Sequence, residues 1–331
     1  PSLPVWRRVL YELAGLLSAY DTTTFWVGEY TPEMVSALPE FAVADGIIEL
    51  RRGQQGSADV RCLRVIKLRG SGFRGGYHTF QITAAGLKVF PRLVTPPTSN
   101  HYLPAAERLK SGIGGLDEMI EQGWLRGTTT LVVGPSGAGK TMLSLHFLRE
   151  GVRNGEAGLF VGFQENPTQL ARIMRSIGWD PAELIAPGRL DVFYTSPVEM
   201  PIDTIVWEIF ERVRAHGVRR VVIDSLADIE ANARDPVRSR DYLYAVTQHF
   251  ALDNVTSMYT LATPGSPDLG QPGLQGVLNL SDNMLSIEVV LGADIERRIR
   301  IIKSRGSAQD GRVRRLQISA QGIRVESAPA R

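Results

Sequence analysis

The chain has 331 residues, 43% of them hydrophobic and 22% charged, with a formal net charge of +2. That length exceeds what one growing core usually takes, so two domains, or one and a fraction, are expected, and the composition excludes a disordered chain. The small net charge gives nucleic-acid binding no support of its own, and no apolar run reaches the roughly 18 residues needed to cross a bilayer.

The first residue is Pro1, no signal-peptide pattern follows it, and a segment upstream is expected. RCLRVIKL (61–68) reads as a strand. That strand carries the single cysteine, Cys62, which leaves no internal disulfide and fits a reducing cytoplasm, the expected location. Gly70-Ser-Gly72-Phe-Arg-Gly75 formally matches a dinucleotide fingerprint, but HTFQITAAGLKVF (78–90) after it reads as another strand with no helix. A hairpin loop is therefore expected there. VTPPTSNHYLPAAER (94–108) is rich in proline and small polar residues and reads as an interdomain linker.

TTTLVVGPSGAGKTMLSLHFLREG (128–151) opens with a β-branched apolar run and continues at helical spacing. Between them Gly134-Pro135-Ser136-Gly137-Ala138-Gly139-Lys140-Thr141 is a full G-x-x-x-x-G-K-[ST] match in its required strand–loop–helix setting. The glycines let backbone N–H groups turn toward phosphate oxygens, Lys140 would reach the β- and γ-phosphates, and Thr141 would ligate Mg²⁺. ATP and Mg²⁺ are the expected cofactors. Strand and helix then alternate: GLFVGF (158–163), PTQLARIMRSI (167–177), LDVFY (190–194), DTIVWEIFERVRAHG (203–217) and RRVVIDSL (219–226). Alternation of this kind predicts an α/β fold with a mostly parallel sheet and a site at the strand C-termini. Asp224 stands where a Walker B acid would hold the metal. Gln164-Glu165 follows the second strand, where Glu165 either orients the attacking water or caps the next helix. Tryptophans and phenylalanines within the helices read as core. The five histidines, His78, His101, His146, His216 and His249, fall at no metal-site spacing, and zinc is not expected.

The chain also repeats itself. IKLRGS (66–71) and IKSRGS (302–307) are 236 positions apart, and at that offset Ile82-Thr83 meets Ile318-Ser319 and Gly86 meets Gly322. Further back Leu10-Tyr11 meets Leu243-Tyr244 at an offset of 233, and ADGIIEL (44–50) resembles SDNMLSI (281–287). A period near 235 is a whole domain. Residues 1–93 are thus expected to be the C-terminal half of a first domain whose front half is absent, 94–108 a linker, and 109–331 a complete domain. Without the middle of its sheet, the first copy should expose apolar surface.

SGIGGLDEMIEQGW (111–124), the P-loop, FQENPTQL (163–170), VVIDSL and IKSRGS together resemble the KaiC family of the RecA superfamily, which are often tandem-domain ATPases. The resemblance implies a RecA-like P-loop fold with C-terminal antiparallel strands, self-assembly into a hexameric ring, a signalling protein as further partner, and Ser/Thr autokinase activity. It also implies that Lys303 and Arg305 act in trans on a neighbouring subunit's nucleotide, with Lys67 and Arg69 serving the first ring. The plainer reading of both pairs is a basic strand end. Clock members of the family carry two acids where this chain has Gln164-Glu165, and an adjacent Ser-Thr where it has Leu278 and Asn279. Ser281 is the only hydroxyl nearby, which argues against a phosphorylation oscillator. A RecA-like single-strand DNA binder is the alternative, yet TPGSPDLGQPGLQG (263–276) and ADIEANARDPVRSR (227–240) lack the basic and aromatic density of such a track. A third reading is a scaffold that binds ATP and rarely hydrolyses it.

Overall fold

The computed structural model describes residues 3–20, 22–55, 58–96, 106–196, 201–233, 236–263, 279–292 and 294–327. Most of the expected linker, Leu278 and nearly all of the 263–276 loop lie outside these residues. The chain forms two compact units, Pro1–Arg92 and Leu93–Arg331.

The first unit runs α1 (Leu3–Ala19), α2 (Pro32–Ala37), α3 (Pro39–Val43), β1 (Gly46–Gln55), β2 (Ala58–Leu68), β3 (His78–Thr83) and β4 (Gly86–Phe90). Its four strands form an antiparallel meander in chain order. The segment expected as one strand over 78–90 is therefore two. Thr83 Oγ1 accepts from Ala85 N at 3.2 Å and donates to Gly86 O at 3.0 Å, and Gly86 turns the chain at φ +106°. That local hydrogen-bonded turn outweighs the β-branched and aromatic character on either side. The 70–75 glycines lie in the connection between β2 and β3, as a hairpin loop requires. Trp6, on α1, is 40% exposed rather than core, in contrast to the buried Trp124, Phe147, Phe210 and Phe250.

The second unit begins with β5 (Arg108–Leu109), α4 (Gly114–Met119) and β6 (Trp124–Leu125), β5 pairing with β6. It continues through β7 (Thr129–Gly134), α5 (Lys140–Arg153), β8 (Gly158–Gly162), α6 (Pro167–Ser176), α7 (Pro181–Leu184), β9 (Leu190–Tyr194), α8 (Ile202–Ala215) and β10 (Arg220–Asp224). After α9 (Leu226–Ala233) and α10 (Pro236–Leu252) come β11 (Thr256–Ala262), β12 (Asn283–Leu291), β13 (Ile295–Ser304), β14 (Arg314–Ser319) and β15 (Gly322–Val325). Nine strands make one sheet in the order β15-β14-β13-β12-β7-β11-β10-β8-β9, parallel from β12 to β9 and antiparallel from β12 to β15. This is the RecA-like P-loop fold.

The P-loop strand β7 sits inside the sheet and all six of its residues are buried. One apolar cluster packs residues of α4, α5 and α6 on one face; a second packs α8, α9 and α10 on the other. The SGIGGLD segment braces this fold. Asp117 Oδ1 accepts from Ser111 N at 2.7 Å and Ser111 Oγ at 2.6 Å, while burial raises the Asp117 pKa. At the N-terminal end of the parallel strands Arg220 is buried, pairs with Glu156 at 2.6 Å and donates to Lys110 O and Phe147 O.

Candidate active site

Three strand C-termini bring the predicted residues together. β7 ends on Gly134, whose α-carbon lies so close to β12 that a Cβ would meet Ile287 O at 2.5 Å. The loop then turns through Gly137 at φ +74° and Gly139 at φ +102°, conformations that side chains with a Cβ rarely adopt. These turns carry Pro135, Ser136 and Ala138 around the loop to Lys140 and Thr141, which open α5. The Lys140 ammonium donates to Gly134 O at 2.9 Å and Pro135 O at 2.8 Å, folded over the loop it belongs to. Burial lowers its pKa, partly offset by Asp224 and Glu165.

Asp224 ends β10, two strands from β7. Thr141 Oγ1 donates to Asp224 Oδ2 at 2.6 Å, and Thr260 Oγ1 from the intervening β11 donates to Asp224 Oδ1. A carboxylate flanked by two hydroxyls is a set of hard oxygen donors, which suits Mg²⁺ held by one or two protein groups together with phosphates and water. Among the described residues no group of three or more His, Cys, Asp or Glu could hold a metal by itself.

Gln164 and Glu165 follow β8, beside β10. The helix they precede is capped by another residue. Asn166 Oδ1 accepts from Gln169 N and Gln169 Oε1 accepts from Asn166 N, both at 2.9 Å, a complete capping box. Glu165 is thus relieved of the capping role. Burial, and then the Asp224 carboxylate, raise its pKa. Gln164 Nε2 donates to both oxygens of Asp228 at 3.3 Å.

Lys303 and Arg305 are not brought to this site. β12 starts level with the start of β7, Asn283 facing Thr130, and Ser304 at the end of β13 pairs with Asn283. The pair therefore lies at the foot of the sheet, while Arg297 of the same strand donates to Gly137 O at 3.3 Å from Nε and Nη2. Lys303 lies six positions along the strand from Arg297, about 20 Å. Lys303 Nζ donates to Ser281 O, and burial lowers its pKa. Arg305 is exposed, anchored by its own N–H to Asp282 O at 2.9 Å.

Arg297, Thr260 and Asp228 escaped the sequence reading. Arg297 left a trace: it shares a strand face with Ile299 and Ile301, which are buried, so it is a cation on the inward stripe. One cavity lies elsewhere. About 730 Å³, it is lined by Arg126, Glu156, Arg219 and neighbours at the N-terminal ends of the strands, away from the P-loop. Its arginines are already partnered, Arg126 by Glu107 and Glu156 and Arg219 by Asp253 O.

A family model described as "ATPase: KaiC" matches residues 3–94 and 109–330. The chain belongs to the KaiC ATPase family. The match comes in two stretches, one to each compact unit. Among curated relatives, the circadian clock oscillator protein KaiC of Acaryochloris marina is 28% identical over 333 residues, covering 97% of this chain and 62% of that protein. The proteins of the same name from Picosynechococcus sp. and Parathermosynechococcus lividus are 27% and 28% identical, covering 98% and 97% of this chain and 63% and 60% of theirs. The chain thus spans about three fifths of the length of these relatives.

Proposed function

We propose that this KaiC-family chain is a Mg²⁺-dependent ATPase whose site is completed across the subunits of a homo-oligomeric ring, with a regulatory or signalling role. The observation that carries the reading is the 2.6 Å hydrogen bond from Thr141 to Asp224, made beside a P-loop whose lysine is already folded over it. Thr141 and Asp224 would hold Mg²⁺, which when bound offsets charge on the β- and γ-phosphates. Lys140 and the loop N–H groups bind the phosphates, Arg297 adds a cation from the same subunit, and Glu165 takes the proton of the attacking water. The raised pKa of Glu165 suits a base of this kind, though it must be ionised to act, so turnover should fall as pH drops through that pKa.

Lys303 and Arg305 support completion across subunits, because their end of β13 is about 20 Å from Arg297 and their own P-loop. On this reading residues 1–93 are the C-terminal half of a first KaiC-like domain, 94–108 a linker and 109–331 a complete domain. The single cysteine, Cys62, fits a cytoplasmic location. Autophosphorylation is left out of the proposal, since Asn279 carries no hydroxyl and Ser281 is buried. The test is ATP turnover with Mg²⁺ or with EDTA, in the wild type and in Lys140→Ala. The reading expects turnover in the first condition alone and a loss of at least ~10²-fold in Lys140→Ala. Equal turnover by Lys140→Ala would refute it.

A further inference from the structure

Gln164, beside Glu165 at the end of β8, faces an acid from another element. Asp228 is the third residue of α9, four residues beyond Asp224, and its carboxylate accepts from Gln164 Nε2 at 3.3 Å on both oxygens. It also accepts from Ser225 Oγ at 2.6 Å and Ser225 N at 3.3 Å, so it is fixed to the end of the strand that carries Asp224. Both carboxylate oxygens accept here, so they face the NH₂ end of the glutamine amide. Oε1 is then the end of Gln164 that can accept from a water molecule.

We propose that Asp228 is a positioning residue for hydrolysis: it holds Gln164 so that the amide oxygen orients the attacking water, with Glu165 receiving the proton. The inference rests on the ATPase reading above. In the step it serves, the water oxygen bonds to the γ-phosphorus and the bond to the β,γ-bridging oxygen breaks. That electron pair leaves on ADP, and the water proton passes to the Glu165 carboxylate. In other nucleotide hydrolases a glutamine orients the attacking water. The charges acting on Glu165 are Asp224 on β10, Asp228 on α9 and Lys140 on α5; the two acids raise its pKa and the lysine lowers it.

Asp228 also closes the N-terminal cap of α9, and a purely structural role predicts a different pattern. Asp228→Asn keeps a side-chain oxygen for Ser225 and removes the charge. The proposal expects kcat for ATP to fall about tenfold with KM unchanged, and the acid limb of the pH–rate profile to move to lower pH. Gln164→Glu alone sets two carboxylates against each other and should also lower kcat. Combining it with Asp228→Asn restores an amide–carboxylate contact with the roles exchanged, and should recover most of the loss. Additive losses in the double variant, or Asp228→Asn with an unmoved acid limb, would overturn the proposal while leaving the ATPase reading in place. A wild type without Mg²⁺-dependent turnover overturns both.

Discussion

The β1–β2 hairpin of the first unit and the β12–β13 hairpin of the second are one structure in two surroundings. Ile47 pairs with Lys67 and Ile48 with Val65; Met284 pairs with Lys303 and Leu285 with Ile301. Each hairpin skips one residue, Ile66 or Ile302, at the same place beside the basic pair. Arg69 N donates to Asp45 O at 2.8 Å as Arg305 N donates to Asp282 O at 2.9 Å. The surroundings differ. Leu285 is 0% exposed and Ile48, its counterpart, 57%; Ile323 is 7% exposed and Leu87 56%. β12 pairs on its far side with the P-loop strand, whereas β1 is the edge of its sheet. Thr256–Ala262 is a central strand, yet residues 23–29, which match it at an offset of 233, form no strand, and Val27 is 93% exposed. An antiparallel hairpin with a bulge is fixed by its own two strands. A central parallel strand exists only where its neighbours do.

Hydrogen exchange would sharpen this contrast most. Amides of Thr256–Ala262 should exchange at least ~10³-fold more slowly than those of residues 23–29, and comparable rates would break the comparison. Core truncation comes next. Leu285→Ala should cost the second unit about 2–5 kcal/mol in denaturant unfolding, whereas Ile48→Ala should stay within about 0.5 kcal/mol. Equal costs would mean that the first unit's exposed face is covered in solution.

A smaller effect separates the units by pH. His146 on α5 is buried, accepts from Ile323 N at 3.0 Å, and has its pKa pushed down to about 4 by burial and then by Arg149. It is neutral in the fold, so the unfolded chain takes up its proton first as pH falls. Stability is therefore full above the ordinary histidine range and is lost between about pH 6.5 and 4, by up to about 3 kcal/mol. Unfolding of the second unit followed against pH, compared with His146→Gln, should show that slope weakened in the variant.

The readability of the sequence follows from how far apart the cooperating residues are. Gly134 to Thr141 are contiguous, and the loop that joins a β-branched run to a helix could be named from the chain alone. Asp224 was legible through its place downstream of that loop. Thr260, Asp228 and Arg297 meet the site only because β11 lies between β7 and β10, α9 starts where β10 ends, and β13 is paired to β12 in one register. No local pattern encodes those adjacencies. The 78–90 segment differs from its pattern for the opposite reason: a local Thr83–Gly86 turn outweighs a regional preference for strand. The hexapeptide repeat revealed a repeated hairpin, but which face of each copy is covered depends on elements outside the repeat.

On the proposed reading, the basic end of β13 serves a neighbouring P-loop. The direct test is ATP turnover against protein concentration for the wild type and Arg305→Ala, and for an equimolar mixture of Arg305→Ala with Lys140→Ala. Specific activity should rise with concentration, fall by about 10³-fold or more in Arg305→Ala, and partly return in the mixture, where an intact Arg305 can face an intact Lys140. Activity independent of concentration and indifferent to Arg305 would contradict the claim and leave IKSRGS as the charged end of a strand.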